Sequence, residues 1–426
     1  MTPAARVQSA IDILDALTLS AKPADRFLNE WARSHRYAGA KDRQAIFELV
    51  YTVLRRRAEC AYAFSREDAR GLVLAALRLE GAHGLEQVEA LFNGAAHSPS
   101  CLNAEERAAF RDAPCAGAAP DWVRGNFPQW LAPHLRESLP DLAREMQALS
   151  LRAPLDLRVN RLKGSRAGAL AALAKENIAA GETPVSPDGI RVSGRGRITG
   201  SAAFVNGLVE VQDEGSQLAA LLACARPGQQ VVDLCAGGGG KTLALAAIME
   251  NRGQIYALDA NPRRLRAMPE RLKRAGAHNV QITEDFANAV TALRGRADLV
   301  VLDAPCSGAG AWRRNPDAKW RLTQESLAHY MAAQDTLLRQ GAELTAPGGR
   351  LIYITCSLLA CENAERITAF LEKDARFAPL PAAAIWAEGV GTPLPDFIAG
   401  DAPHVFLTPA RSATDGFFIC VMERRA

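Results

Sequence analysis

The 426-residue chain has no uninterrupted apolar run that approaches the roughly eighteen residues needed for a membrane-spanning helix. Its beginning lacks the basic-then-apolar layout of a secretory signal peptide. The nine cysteines form no C-x-x-C pair, which argues against a zinc site. An odd cysteine count without a secretion signal is typical of reduced thiols. These absences predict a monomeric cytoplasmic protein that contacts no membrane and holds no metal.

An excess of one charge is also lacking overall, because 50 Lys and Arg are matched by 47 Asp and Glu. The resulting net charge of +3 indicates little about partners. The stretch from residue 151 to 200 is different, since it holds nine Lys and Arg against four Asp and Glu. Such a local excess is compatible with nucleic acid, although most basic clusters are only solvated faces.

Three regions of different pattern divide the chain, which is too long for one ordinary core. Apolar residues at helical spacing predict an all-helical domain over residues 1–140. Mixed strand-like and helix-like patterns predict a small α+β module over residues 141–207. Over residues 208–426 strands alternate with helices, and His404–Leu407 and Phe417–Met422 would add a late antiparallel hairpin. The fold class is therefore α/β, and ligands should bind at the carboxyl ends of the strands.

A glycine-rich loop follows the first strand of the last region, in the run DLCAGGGGKT from Asp233 to Thr242. Glycines let the backbone turn tightly and approach a ligand closely. The run imitates the end of a P-loop, but Cys235 occupies the position of the required first glycine. A dinucleotide-binding G-x-G-x-x-G pattern also fails, because its third glycine would be Thr242. A tight structural turn is the remaining alternative for this loop considered alone.

Two carboxylates follow the next two strands. Asp259 ends the second strand, where an acid accepts hydrogen bonds from ribose hydroxyls in doubly wound sheets. Asp285 comes just after the third strand and is placed to meet an adenine edge. Either acid alone could simply cap a helix N-terminus. Together with the glycine loop, they predict an adenosyl cofactor bound without a phosphate group.

Two cysteines are predicted at adjacent strand ends beside this site. Cys306 closes the run Asp303-Ala-Pro-Cys after the fourth strand, and Cys356 follows Thr355 at the end of the fifth. Free cysteines are most often small buried hydrophobes, but these two are expected to face the crevice. Carbon 5 of cytosine becomes nucleophilic once a thiolate adds to carbon 6 and an acid protonates N3. The pattern therefore fits methylation at carbon 5 and leaves open which cysteine attacks.

The last region resembles the Sun/Fmu/RsmB-type RNA (cytosine-5) methyltransferases, a family with a Rossmann-like catalytic domain. The resemblance rests on six segments in family order: VQDEGSQ (211–217), DLCAGGGGKT (233–242), LDAPCSG (302–308), RRNPDAKW (313–320), YITCS (353–357) and DGFF (415–418). It implies that Cys356 is the nucleophile, that Cys306 assists release of the product, and that Asp303 contacts the base.

The same resemblance implies S-adenosylmethionine as the cofactor. The residues implied to bind it are Cys235, Ala236, Gly237, Gly238, Gly239, Gly240, Lys241, Asp259, Asp285 and Asp303. The family's loop usually reads C-A-x-P-G-G-K-T, so glycine stands at position 238 where proline is usual. We expect a more flexible loop that still accommodates the cofactor.

RNA contacts are implied outside the glycine loop. The segment LRVNRLK (157–163) resembles the small RNA-contacting module of this family, whose side chains touch the RNA backbone. The residues implied to touch RNA, here and in RRNPDAKW, are Arg158, Asn160, Lys163, Arg313, Arg314 and Lys319. Residues 22–56 resemble the NusB-like helical domain of rRNA enzymes, which points to small-subunit (16S) rRNA as the substrate.

Two other functions stay open. A DNA cytosine-5 methyltransferase would use the thiol of the Pro-Cys motif, and it is disfavoured by the Thr-Cys motif and by the NusB-like domain. A non-catalytic rRNA-binding assembly factor is disfavoured by the intact cysteine pair, although a fold does not determine a function.

Overall fold

The computed structural model describes residues 1–81, 83–114, 116–194 and 198–426, which divide into two units. The helical unit comprises Met1–Arg152 and Trp312–Leu322, and the sheet unit comprises Ala153–Ala311 and Thr323–Ala426. Cys115 and two arginines of the basic stretch, Arg195 and Arg197, lie outside the described residues. Among the residues described, no helix combines the length and the apolar character needed to cross a bilayer.

The helical unit is built from short helices around an apolar core. Its helices are α1 (Pro3–Thr18), α2 (Ala24–Ser34), α3 (Ala40–Arg55), α4 (Arg57–Phe64), α5 (Ala69–Leu79), α6 (Leu85–Leu91), α7 (Ala104–Asp112), α8 (Asp121–Arg124), α9 (Ala132–Ser138), α10 (Leu142–Ser150) and α17 (Ala318–Arg321). α1 begins where the Thr2 hydroxyl accepts a hydrogen bond from the Ala5 N–H. Apolar residues at helical spacing, such as Ile13, Ile46 and Leu74, are buried between the helices. The predicted helical N-terminal region is confirmed.

A small antiparallel sheet begins the sheet unit, with strand order β2-β3-β1-β4. Its strands are β1 (Leu155–Val159), β2 (Ala180–Glu182), β3 (Gly189–Val192) and β4 (Val209–Val211), accompanied by α11 (Arg166–Lys175) and α12 (Ala202–Val205). Leu157, Leu173 and Val209 belong to its apolar core. β4 begins just after residue 207, where the sequence predicts the module to end, and pairs with β1. The small sheet therefore includes residues 209–211, just beyond the predicted end of the module at residue 207.

The larger sheet has the strand order β10-β12-β9-β8-β5-β6-β7, with β11 paired to β12. Its strands are β5 (Gln230–Asp233), β6 (Gln254–Leu258), β7 (Val280–Thr283), β8 (Ala297–Asp303), β9 (Thr345–Thr355), β10 (Phe377–Pro379), β11 (Val405–Leu407) and β12 (Phe417–Arg424). The accompanying helices are α13 (Glu214–Leu221), α14 (Gly240–Ile248), α15 (Met268–Ala275), α16 (Phe286–Ala292), α18 (Gln324–Leu344), α19 (Ala364–Lys373), α20 (Ala382–Gly389) and α21 (Pro409–Ser412). β5 to β9 pair in parallel, and β12 runs antiparallel to β9 and β11. The predicted Rossmann-like α/β fold is confirmed.

The carboxyl ends of the central parallel strands meet at one edge of this sheet. Parallel pairing places Asp233 of β5 opposite Val301 of β8, and Asp303 of β8 opposite Ile354 of β9. β8 and β9 are largely buried on both faces, as expected for strands of a parallel sheet that is covered by helices. The loops that leave these strands are thereby brought side by side, and they carry the predicted site residues.

Candidate active site

The glycine loop turns from β5 into α14 through two left-handed residues. Gly237 has φ 52° and Gly239 has φ 83°, a conformation that side chains with a Cβ rarely adopt. A Cβ on Gly239 would also come within 2.9 Å of the Met268 side chain. The turn is closed by a hydrogen bond from the Gly239 N–H to the Ala236 carbonyl. Glycine is therefore required at positions 237 and 239 by the geometry of this turn.

Asp259 lies directly against the glycine loop, as its position at the end of β6 predicts. The carboxylate is buried, and it accepts hydrogen bonds from the Gly237 N–H at 3.0 Å and from the Asn261 N–H at 2.9 Å. Arg264 forms an ion pair with the same carboxylate at 3.2 Å. The guanidinium group is more than half exposed, so water can hydrate it when a ligand takes its place at the carboxylate.

Asp285 takes the alternative role that the sequence left open. Its carboxylate caps α16 by accepting hydrogen bonds from the Asn288 N–H and from the Asn288 side-chain amide. The side chain is exposed to solvent. Contact with an adenine edge stays a prediction for this residue, and the cap alone accounts for its present geometry.

Lys241 joins the glycine loop to the end of β8. Its ammonium group lies 2.7 Å from the carboxylate of Asp303 and 5.5 Å from the centre of the Phe417 ring. The lysine side chain is buried, whereas Asp303 is half-buried. The carboxylate predicted to contact the base is thus held in place by the loop predicted to bind the cofactor.

The residues around the loop fit S-adenosylmethionine. Asp259 offers carboxylate oxygens at the strand end where ribose hydroxyls bind in doubly wound sheets. Asp233 is buried at the end of β5 and, among the described residues, its Oδ1 has no hydrogen-bond partner. Burial raises the pKa of Asp233 to about 7. An unpartnered acceptor beside the loop suits the ammonium group of the cofactor. Burial also raises the pKa of the neighbouring Cys235 thiol, which keeps that cysteine unreactive.

The two predicted catalytic cysteines are in direct contact. The Sγ atoms of Cys306, after β8, and Cys356, after β9, lie 3.5 Å apart. The hydrogen bond to Cys356 and burial raise the pKa of the Cys306 thiol well above its usual value. Either sulfur atom can be the donor of this hydrogen bond. The structure brings the two thiols together, and which of them attacks stays a prediction.

Glu362 is a site residue that the sequence analysis missed. Its fully buried carboxylate accepts hydrogen bonds from the Ser307 N–H at 2.8 Å and from the hydroxyl groups of both Ser307 and Ser357. The Gln334 side-chain amide donates to it at 3.2 Å. Ser307 follows Cys306 and Ser357 follows Cys356, so one carboxylate holds both cysteine-bearing loops. Its place in the ACENAE segment carries no signal that would identify it before the fold is known.

Two of the residues implied to touch RNA in LRVNRLK are buried. The Asn160 amide donates to the Gly207 and Ala275 carbonyls, at 2.9 Å and 2.8 Å. Arg158 is 4% exposed, and its guanidinium lies 3.5 Å from the Gly240 carbonyl. Both side chains are buried, which does not favour the predicted RNA contact, and that contact stays a prediction for Asn160 and Arg158. Lys163 is exposed, and its contact with RNA stays a prediction.

The RRNPDAKW segment belongs to the helical unit, where it packs against α2 and α3. Lys319 is 3% exposed, its ammonium donates to the Arg55 carbonyl at 3.2 Å, and burial lowers its pKa to about 7. The Trp320 indole N–H donates to the Leu54 carbonyl at 2.7 Å. Arg313 is buried and Arg314 is half-buried. The side chain of Lys319 is thus used inside this unit, which does not favour the predicted RNA contact, and that contact stays a prediction.

Comparison with known proteins gives the family. A model described as 16S rRNA methyltransferase RsmB/F matches residues 219–423, and a model of the RsmF/B-like ferredoxin-like domain matches residues 127–199. A probable ribosomal RNA small subunit methyltransferase B from Synechocystis is 33% identical over 72% of this chain and 66% of its own length. A protein of the same name from Bacillus subtilis is 32% identical over 70% of this chain and 67% of its own. The chain thus spans about two thirds of the length of these relatives.

Solved structures agree in fold. The crystal structure of PH0851 aligns with a TM-score of 0.76 and 24% identity over 100% of this chain and 99% of that one. A methyltransferase homologue from Pyrococcus horikoshii aligns with a TM-score of 0.60 and 29% identity over 71% of this chain and 97% of that one. S-adenosylmethionine is the methyl donor that this fold and family imply. Because its sequence, its motifs and its fold all match those of this family, the chain belongs to the RsmB/F family of 16S rRNA methyltransferases.

Proposed function

We propose that this protein transfers a methyl group from S-adenosylmethionine to carbon 5 of a cytosine in small-subunit rRNA. The observation that carries the proposal is the pair of thiols 3.5 Å apart at the carboxyl edge of the sheet. The names of the Synechocystis and B. subtilis relatives support an rRNA substrate. The cofactor supplies an electrophilic methyl group on a sulfonium, and Asp259, Asp233 and the glycine loop would hold it.

Cys356 is the proposed nucleophile, as the resemblance of its Thr-Cys motif to the family implies, and Cys306 lies near enough to donate its S–H to the Cys356 sulfur. The target base must leave its stack before any side chain reaches carbon 6. The Cys356 thiolate then forms a bond to carbon 6, and the displaced electron pair moves to N3. N3 takes a proton held between Asp303 and Lys241, whose charged groups are 2.7 Å apart. Carbon 5 becomes nucleophilic as a result and accepts the methyl group, while the broken C–S bond leaves its electron pair on the sulfur of the departing S-adenosylhomocysteine.

Cys306 is proposed to assist product release. A base removes the hydrogen from carbon 5, the C5=C6 double bond forms again, and the bond from carbon 6 to the Cys356 sulfur breaks. The N3 proton returns to the Asp303–Lys241 pair. The Cys306 S–H is near enough to donate to the departing sulfur, which would stabilise it as a leaving group.

Bisulfite sequencing of 16S rRNA from cells that lack the protein tests this function. One protected cytosine should lose its protection, and the wild-type chain should restore it whereas Cys356→Ala should not. An unchanged cytosine pattern would exclude carbon 5 of 16S rRNA as the target. Bisulfite sequencing of genomic DNA from the same cells is the matched control, and loss of protection only there would favour a DNA enzyme.

A further inference from the structure

The glycine at position 238 is not required by the turn in which it lies. Its neighbours Gly237 and Gly239 have positive φ, whereas Gly238 does not, so no left-handed conformation excludes a residue with a Cβ at position 238. The resemblance to the family places a proline at this position. Glycine has the most backbone freedom of all residues, so its presence leaves the loop less restrained than a proline would.

Arg271 of α15 supplies a restraint from outside the loop. Its Nη1 donates a hydrogen bond of 2.5 Å to the Gly238 carbonyl. A Cβ built on Gly238 would lie 3.3 Å from the same nitrogen, so the guanidinium is packed directly against this residue. Hydrogen bonds from a charged donor are about twice as strong as those between neutral groups. The loop is therefore tied from outside through the Gly238 carbonyl.

Arg271 is itself held by the small sheet. Its Nη2 lies 3.1 Å from the carboxylate of Glu210 in β4, which also pairs with Arg274. The Glu210 side chain is almost fully buried, whereas the two arginines are about a quarter exposed. A guanidinium can donate to the carbonyl and to the carboxylate at once because its N–H groups form a fixed fork, which a lysine lacks. β4 thereby determines where the Arg271 donor is directed.

We propose that Arg271, oriented by Glu210, is a positioning residue of the cofactor loop and takes over the restraint that a proline at position 238 would provide. The proposal rests on the assignment of this loop to S-adenosylmethionine made above. It also gives the small sheet a role in cofactor binding, because Glu210 belongs to β4. The loop expected to be more flexible from its sequence is held by a side chain from a neighbouring helix.

Titration calorimetry of the full chain with S-adenosylmethionine and S-adenosylhomocysteine tests this role. Arg271→Ala should raise the Kd for both ligands about tenfold, the effect of losing one charged hydrogen bond. Arg271→Lys should recover little of this loss, since it keeps the charge without the fork. Arg263→Ala is the matched control, because it removes an exposed arginine from the preceding turn and should leave the Kd unchanged.

The decisive comparison uses a Gly238→Pro background. Proline restrains the loop by itself, so Arg271→Ala added to Gly238→Pro should change the Kd by less than about threefold. A purely structural role for Arg271 would instead weaken binding equally in both backgrounds, and that result would overturn the proposal. Thermal unfolding of each variant checks that the chain is folded. If the wild-type chain binds neither ligand, the assignment of the loop to the cofactor fails; if it binds and Arg271→Ala binds equally well, only this inference fails.

Discussion

The Sγ atoms of Cys306 and Cys356 lie 3.5 Å apart, although the two residues are 50 positions apart in the chain. They meet because β8 and β9 are parallel neighbours and end at the same edge of the sheet. The separation is that of a hydrogen bond between two thiols, well beyond the length of a disulfide bond. This distance is short enough for the two sulfur atoms to act on one base in the successive steps proposed above.

Exchange of each cysteine for alanine should separate these steps. The Cys306→Ala variant should still form the bond from Cys356 to carbon 6 and methylate carbon 5, but it should not release the RNA. A covalent protein–RNA complex should therefore accumulate. The complex should survive denaturing gel electrophoresis with methylated 16S rRNA. Cys356→Ala and the double variant should give no such band. A trapped band with Cys356→Ala alone would exchange the two roles, and retained activity without any band would exclude covalent catalysis.

Glu362→Gln should disturb both cysteine loops at once. The carboxamide loses one acceptor and places a donor against the hydroxyl groups of Ser307 and Ser357. We expect a loss of roughly 2–4 kcal/mol in the free energy of unfolding, as for a buried charged hydrogen-bond network that loses one partner. Methyl transfer should fall much more than the affinity for S-adenosylmethionine. Denaturant titration and calorimetry measure these effects, with the exposed Glu365→Gln as control; equal behaviour of the two variants would contradict the role of Glu362.

Asp259→Ala should weaken the binding of S-adenosylmethionine by about 1–3 kcal/mol, because a buried acceptor for two hydroxyl groups is lost. Asp285→Ala provides the comparison, since its carboxylate caps α16 in the structure. Loss of this cap should lower the free energy of unfolding by about 1 kcal/mol. It should weaken S-adenosylmethionine binding less than Asp259→Ala does. Calorimetric titration of both variants decides the point, and an unchanged affinity for Asp259→Ala would place the ribose elsewhere.

Lys163→Ala and Asn160→Ala should affect RNA binding in different ways. Lys163 is exposed, so its loss should weaken binding across RNA sequences and reduce the salt slope by about one. Asn160 holds the Gly207 and Ala275 carbonyls, so its loss should lower stability and leave the salt slope unchanged. Filter binding at several salt concentrations measures both slopes. If Lys163→Ala keeps the wild-type slope, this part of the basic stretch is only a solvated face.

The buried Lys319 should make the stability of the chain depend on alkaline pH. Burial lowers its folded-state pKa from 10.5 to about 7, so between these values the folded chain binds fewer protons than the unfolded chain. The free energy of unfolding of the wild-type chain, compared with that of Lys319→Met, should therefore rise from pH 7 to pH 10. The same gain should disappear as the pH falls from 10 to 7. The change should be on the order of a few kcal/mol, at about 1.4 kcal/mol per pKa unit. Denaturant titrations at several pH values measure it, and parallel profiles would show that Lys319 is not the source.

Local sequence predicted the elements and the loops that leave them. Strands buried on both faces read as short apolar runs, and the alternation with helices predicted the larger sheet and its late hairpin. Tight turns need glycine where φ is positive, so Gly237 and Gly239 marked the loop after β5 before its partners were known. The resemblance added the cofactor and the order of the cysteine motifs, because those motifs are short contiguous segments.

Burial and long-range partners were decided only by the tertiary structure. LRVNRLK is basic in sequence, yet Arg158 and Asn160 point into the protein, because β1 is covered by neighbours that no local pattern specifies. Glu362 gains its role from the turn after β9, which brings it against Ser307 from 55 positions away. Arg271 reaches Gly238 across 33 positions because α15 packs beside the loop. A sequence determines which groups can donate, accept or ionise, whereas the packing of distant elements decides which groups meet and how much water surrounds them.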